Sequence, residues 1–210
     1  MCDNKATSKE HVPPKCFFPE TKDLKGSEDY RKNLITVPSC EVHNSQKSTD
    51  DSYLLAVITA HYENGPLAKE HYSTKIKRAL KKDEGLKRII VQNSQYKNIG
   101  DEKHFVISTD HNRIIKQFER MGYALYYHEK NEHWDGQISA LTPNIYWEDS
   151  DINSTLQEVA DHGDKGLNHM EKFGQNEEVF YYRRYFVDNP KGGIMELVFF
   201  KGFEVWLHLH

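Results

Sequence analysis

The 210-residue sequence predicts an α+β protein, and three observations carry that expectation. The first sixty or so residues read as strand, loop, strand and helix. The middle of the chain is dominated by stretches with helical periodicity. The C-terminal end is rich in aromatic and β-branched side chains and is interrupted by the turn sequence NPKGG. The expected organisation is an N-terminal ββα unit over residues 1–62, followed by a mixed helical and antiparallel β body over 63–210.

KEHV (9–12) and NLITV (33–37) are short enough and β-branched enough to be strands, joined by the polar segment PETKDLKGSEDYRK. STDDSYLLAVITAHY (48–62) has the chemistry of a helix start. Ser48 or Thr49 can cap it, Asp50 and Asp51 suit its positive end, and Leu54, Val57, Ile58 and His61 share one face. NGP at 64–66 punctuates the chain, and the segment from Leu67 to Lys97 is predicted helical. That segment is also basic, with nine Lys and Arg against three acids from Lys69 to Lys97. KHFVIST (103–109) is a predicted strand. Residues 110–130 form a predicted helix capped by Asp110, with Ile114, Ile115, Phe118, Met121 and Leu125 on its apolar face. QISALTPNIYW (137–147) reads as strand-like and DINSTLQEVADHG (151–163) as a short helix ended by Gly163. EEVFYYRRYFVD and GIMELVFFKGFEVWLHL are the two β-rich runs on either side of the NPKGG turn.

Composition narrows the function classes. A net charge of −4 does not announce a binder of polyanions by global charge, so any nucleic-acid contact must come from a local basic surface. No apolar run approaches the roughly 18–20 residues of a membrane span. The N-terminal sequence is polar and lacks the apolar core of a signal peptide, so the expected location is cytoplasmic and no membrane partner is expected. Three cysteines (Cys2, Cys16 and Cys40) are too few and too odd in number for a disulfide framework, which leaves metal binding or burial. Neither the remaining histidines nor the terminal HLH have a ligand spacing, and no glycine-rich phosphate loop occurs.

The chemistry concentrates in two polar pairs. Glu10 and His11 end the first predicted strand, just before Pro13 and Pro14, which fix the direction of the exiting chain. His43 and Asn44 precede the predicted helix, with Lys47 nearly one turn further on. A carboxylate and an amide oxygen converging on one point suit a hard divalent cation such as Mg²⁺ or Mn²⁺. A histidine beside such an ion can take a proton from water near neutral pH. That combination is what hydrolysis of a phosphodiester needs. Lys15, Lys77 and Arg78 are further candidate phosphate contacts, the latter two within the basic segment.

The pattern E-H-V-P-P-K, then N-L-I-T-V-P-S-C-x2-H-N-x2-K, resembles the HNH endonuclease superfamily, the ββα-metal nucleases, over roughly residues 2–51. The resemblance implies that His11 is the general base, that Glu10 and Asn44 hold the catalytic metal, that Asn33 orients the His11 ring, and that Lys47 touches a phosphate. His43 is the alternative metal ligand. Relatives in this superfamily carry a structural zinc held by two C-x2-C pairs. Here those pairs read Cys2-x2-Lys5 and Cys40-x2-His43, so Cys2, Cys40 and His43 are the candidate zinc ligands, with Cys16 a further one. The function implied is nicking or cutting of double-stranded DNA, in defence against foreign DNA, leaving 5′-phosphate and 3′-hydroxyl ends. The body would then supply DNA grip, a homodimer contact or a protein-partner surface. Two other readings stand beside it: a non-catalytic DNA-binding or zinc-knuckle module of the same fold, and an RNA-directed nuclease.

Overall fold

The structure, a computed structural model, describes residues 6–40, 48–92, 94–99, 102–147 and 150–210. It is α+β. β1 (Ser8–His11) pairs antiparallel with β2 (Thr36–Ser39), placing Glu10 opposite Val37 and His11 opposite Thr36. Backbone bonds Thr7 N–H to Ser39 O and Val12 N–H to Ile35 O, both 3.0 Å, extend the ladder at each end. α1 (Ser48–Thr59) follows, completing the expected strand–loop–strand–helix order. α1 is buried on all sides from Tyr53 to Thr59 rather than along the single stripe expected, because other helices pack around it.

The connection between β1 and β2, polar in sequence, is pinned down. Phe17 and Phe18 are buried, Arg31 Nε donates to the Phe18 carbonyl (2.9 Å), and Lys25 N–H donates to Glu70 (2.7 Å). Asp23 has a side chain only 3% exposed and accepts two 2.9 Å bonds from Arg78. Arg78→Ala leaves that carboxylate buried without its cation. The expected result is a lower urea-unfolding midpoint, by less than for a fully buried pair because Arg78 itself is half exposed. An unchanged midpoint would show that water replaces the guanidinium at no cost.

The basic segment is broken into α2 (Pro66–His71), a π-helical turn (Tyr72–Ile76), α3 (Lys77–Lys82) and α4 (Glu84–Gln92). The break before α4 falls at Asp83, whose carboxylate accepts from Leu86 N–H (2.9 Å) and so acts as a cap. Helix was expected to run to Lys97. Instead Ser94–Ile99 forms β3, paired antiparallel with β4 (Glu102–Ile107), so cross-strand bonding replaces helix there. α5 (His111–Lys130) starts as expected, with Asp110 accepting from Arg113 N–H (3.1 Å), and ends at Asn131 in a left-handed conformation.

The C-terminal region is a five-stranded antiparallel sheet in the order β5 (Ile138–Leu141), β9 (Phe203–Leu209), β8 (Lys191–Phe199), β7 (Phe180–Asp188) and β6 (Phe173–Asn176). The second β-rich run is thus a hairpin, not one strand. It reverses at Phe200 and Lys201, both at positive φ (50° and 64°), followed by Gly202. Consecutive residues of β9 face opposite layers. Leu207 meets α5, where a Cβ on Gly122 would come within 2.8 Å of it. Trp206 meets α6 (Ser150–Leu167), where a Cβ on Gly163 would come within 2.5 Å of the ring. That close approach explains why Gly163 does not end the helix as expected. It sits within α6 because only a bare backbone fits against the indole.

One hydrophobic cluster runs through both expected units. Val12, Phe17 and Val37 from the N-terminal segment join Phe118 and Leu125 of α5 and Phe199, Phe203 and Leu207 of the sheet. Residues on both sides of position 62 therefore share a core. On the opposite sheet face, Arg183 bridges Glu196 (2.7 Å) and Asp164 of α6 (3.5 Å). Burial outweighs the guanidinium and pushes the Glu196 carboxyl up to about 7. A raised folded-state value means that this group's stabilising contribution is full below about 4.5 and lost as pH rises toward 7. Glu196→Gln is therefore expected to gain in melting temperature relative to the parent as pH is raised from about 5 to 8. A pH-independent difference would refute this assignment. Among the described residues, no helix is long and apolar enough to cross a membrane.

Candidate functional site

Glu10 and His11 border a small, partly open cleft, lined also by Val12, Pro14, Asp51, Gln117, Arg120, Met121 and Ala124. Three parts of the chain build it. The end of β1 supplies the Glu-His pair, the first turn of α1 supplies Asp51, and the middle of α5 forms the far wall. The two aspartates at the start of α1 divide their work. Asp50 accepts from Arg113 Nε (2.7 Å) and Gln117 Nε2 (3.1 Å), which locks α1 to α5, while Asp51 lines the cleft. The Tyr53 hydroxyl accepts from Asp110 N–H (2.9 Å), and Arg113 lies over the Tyr53 ring at 4.5 Å, which fixes the same junction.

The His11 imidazole is held below its ordinary pKa by partial burial and by the nearby cations Lys15 and Arg31, with Glu10 pulling the other way. Neither of its ring nitrogens is hydrogen-bonded among the described residues. A neutral imidazole facing open solvent is in the right state to accept a proton. Glu10 is steadied by Ser39, whose hydroxyl donates to its carboxylate at 3.2 Å. Glu10, Asp51 and His11 all line this cleft, and carboxylate oxygens are the ligand type that suits a hard, partly hydrated cation such as Mg²⁺ or Mn²⁺. Among the described residues, no three His, Cys, Asp or Glu side chains are grouped tightly enough to hold an ion by themselves.

The other expected site residues fall as follows. Asn33 is exposed, in the loop before β2, at φ 52°, a left-handed conformation that asparagine tolerates. It makes no hydrogen bond to His11 among the described residues. Lys15 is exposed on the short 3-10 turn Lys15–Phe17, close to His11. Lys77 is exposed on α3, whereas Arg78 is engaged with Asp23 and holds the loop rather than standing free for a phosphate. Cys2, His43, Asn44 and Lys47 lie outside the described residues. Of the remaining candidate zinc ligands, Cys40 is buried at the end of β2, and burial pushes the Cys16 thiol up to about 12, favouring its protonated form.

His71, unassigned in sequence, is a neutral core histidine. Burial lowers it to about 4 and its Nε2–H donates to the Cys16 carbonyl (3.1 Å). Sequence reasoning missed Asp51, Gln117 and Arg120. Asp51 read only as a charge favouring a helix start, and nothing in the spacing of α5 links Arg120 to a histidine more than a hundred residues earlier. Compared with family models, with curated proteins and with solved structures, the chain matches none.

Proposed function

We propose that this protein is a divalent-metal-dependent endonuclease of HNH type that hydrolyses phosphodiester bonds in double-stranded DNA. The observation that carries the reading is that Glu10, His11 and Asp51 all line one cleft where a β-hairpin meets a helix N-terminus. Glu10 and Asp51 would hold the Mg²⁺ or Mn²⁺, with Asn44 (or His43) as the further ligand that the motif implies. When bound, the ion supplies charge neutralisation on the phosphate and on the departing oxygen. His11 takes the proton from the attacking water. The new bond is between the water oxygen and phosphorus. The bond that breaks is between phosphorus and the 3′ oxygen, which leaves as a hydroxyl after taking a proton from solvent water, and His11 then gives its own proton back to solvent. Lys15 adds positive charge beside the same imidazole.

The test is incubation of supercoiled plasmid with purified protein and Mg²⁺ or Mn²⁺, beside a chelated control and His11→Ala. Conversion to nicked or linear DNA by the parent alone, abolished in the chelator, supports the reading. Intact plasmid under all conditions, with DNA still retarded in a gel shift, would replace it with a non-catalytic binding module. Cleavage of structured RNA in preference to duplex DNA would change the substrate and keep the chemistry.

A further inference from the structure

We propose that Arg120, projecting from α5, is a phosphate-binding residue of the cleft and seats, together with Lys15, the phosphodiester that faces His11. The inference rests on the nuclease reading for the identity of the anion, and it extends the site beyond the ββα motif. Arg120 lines the same cleft as Glu10, His11 and Asp51, yet it is exposed and forms no ion pair or hydrogen bond among the described residues. Its neighbours on the helix are committed otherwise. Arg113 and Gln117 are both tied to Asp50. Those two contacts fix the rotation of α5 against α1. Arg120 follows Gln117 by three residues, so it falls on the same side of the helix, nearly one turn further along. Lys15, near enough to His11 for its charge to be felt there, is also exposed and has no carboxylate partner among the described residues.

A cleft lined by two carboxylates and an uncommitted arginine, with the charge of Lys15 felt at His11, suits a ligand that brings both negative charge and a bound cation. A metal-bound phosphodiester is that ligand. Arginine suits the role because its planar fork matches two phosphate oxygens at once. The body of the protein would then take part in catalysis directly, through α5, and not only as a grip on distant DNA.

The experiment compares the parent with Arg120→Gln, Arg120→Lys and Lys165→Gln, the last removing one charge from α6 on the far face of the sheet. Affinity for a fluorescent duplex is measured by anisotropy in EDTA over a series of salt concentrations, and plasmid cleavage is measured separately with Mg²⁺. Arg120→Gln is expected to weaken duplex binding about tenfold, to reduce the salt slope by about one, and to lower cleavage further than binding. Arg120→Lys should recover the slope but only part of the rate, since it restores charge without the fork. Lys165→Gln should stay within about twofold of the parent. If Arg120→Gln weakens binding while the parent cleaves nothing, the phosphate seat stands and the nuclease reading falls. If Arg120→Gln binds and cleaves like the parent, the seat is overturned and the nuclease reading stands. If the parent binds no nucleic acid, both are overturned.

Discussion

His11→Ala is expected to slow metal-supported plasmid cleavage by about a thousandfold, the range typical of losing a positioned general base. The size follows from the surroundings of the ring. Partial burial, helped by Lys15 and Arg31, favours the neutral imidazole, and no hydrogen bond among the described residues competes for its nitrogens. Alanine removes that base and leaves the carboxylates, Lys15 and Arg120 in place, so residual cleavage and DNA binding should persist. The pH profile provides an independent check. A base must be deprotonated to act, so the acidic limb of the parent's rate should rise with pH around a midpoint below the ordinary histidine value near 6.5. The alanine variant should lack that limb. Full activity in the variant, or an unchanged acidic limb, would remove His11 from the chemistry.

Phe199→Ala is expected to destabilise the protein by about 4 kcal/mol, which for a chain of this size corresponds to a drop of roughly 10 °C in melting temperature. Phe199 is fully buried near the end of β8 and sits among four other rings. Its centroid lies 5.1 Å from Phe180, 5.6 Å from Phe17, 5.9 Å from Phe118 and 6.5 Å from Phe203. These contacts join the hairpin loop, α5 and the sheet, so the cavity cannot be closed by one side chain relaxing. Because Phe17 is one of the partners, the loss should reach the amide protons of the N-terminal hairpin, such as that of Val12. Hydrogen exchange there should accelerate in the variant by the same free energy as the global transition. Protection at Val12 that is indifferent to the change, with the sheet alone loosened, would mean that the hairpin folds independently.

The parts of the fold that were legible in sequence are those with a local signal. Asp110 before a 3.6-residue apolar period defined α5, and Asp50-Asp51 after two hydroxyl residues defined the start of α1. The parts that were not legible depend on distant partners. Gly163 looked like a helix stop because its real constraint, the Trp206 ring, lies more than forty residues downstream. The β8–β9 reversal was hidden because Phe200 and Lys201, rather than glycine or asparagine, take the left-handed turn conformations. β3, SQYKNI, was hidden because Ile99 is its one β-branched residue and no turn signal separates it from the helices before it. At the site, the Glu10–His11 pair was readable from its motif. The placement of Asp51 and Arg120 beside that pair arises only when three separate segments meet. His43, Asn44 and Lys47, which the motif also requires, fall outside the described residues.

The shared ring cluster has a consequence for the order in which the protein is made. During synthesis the Glu10–His11 hairpin leaves the ribosome well before the residues of β8 and β9 that cover Phe17, and before the helix that walls the cleft. The hairpin therefore waits, exposed on one side, until the last strands arrive to complete the core it shares with them.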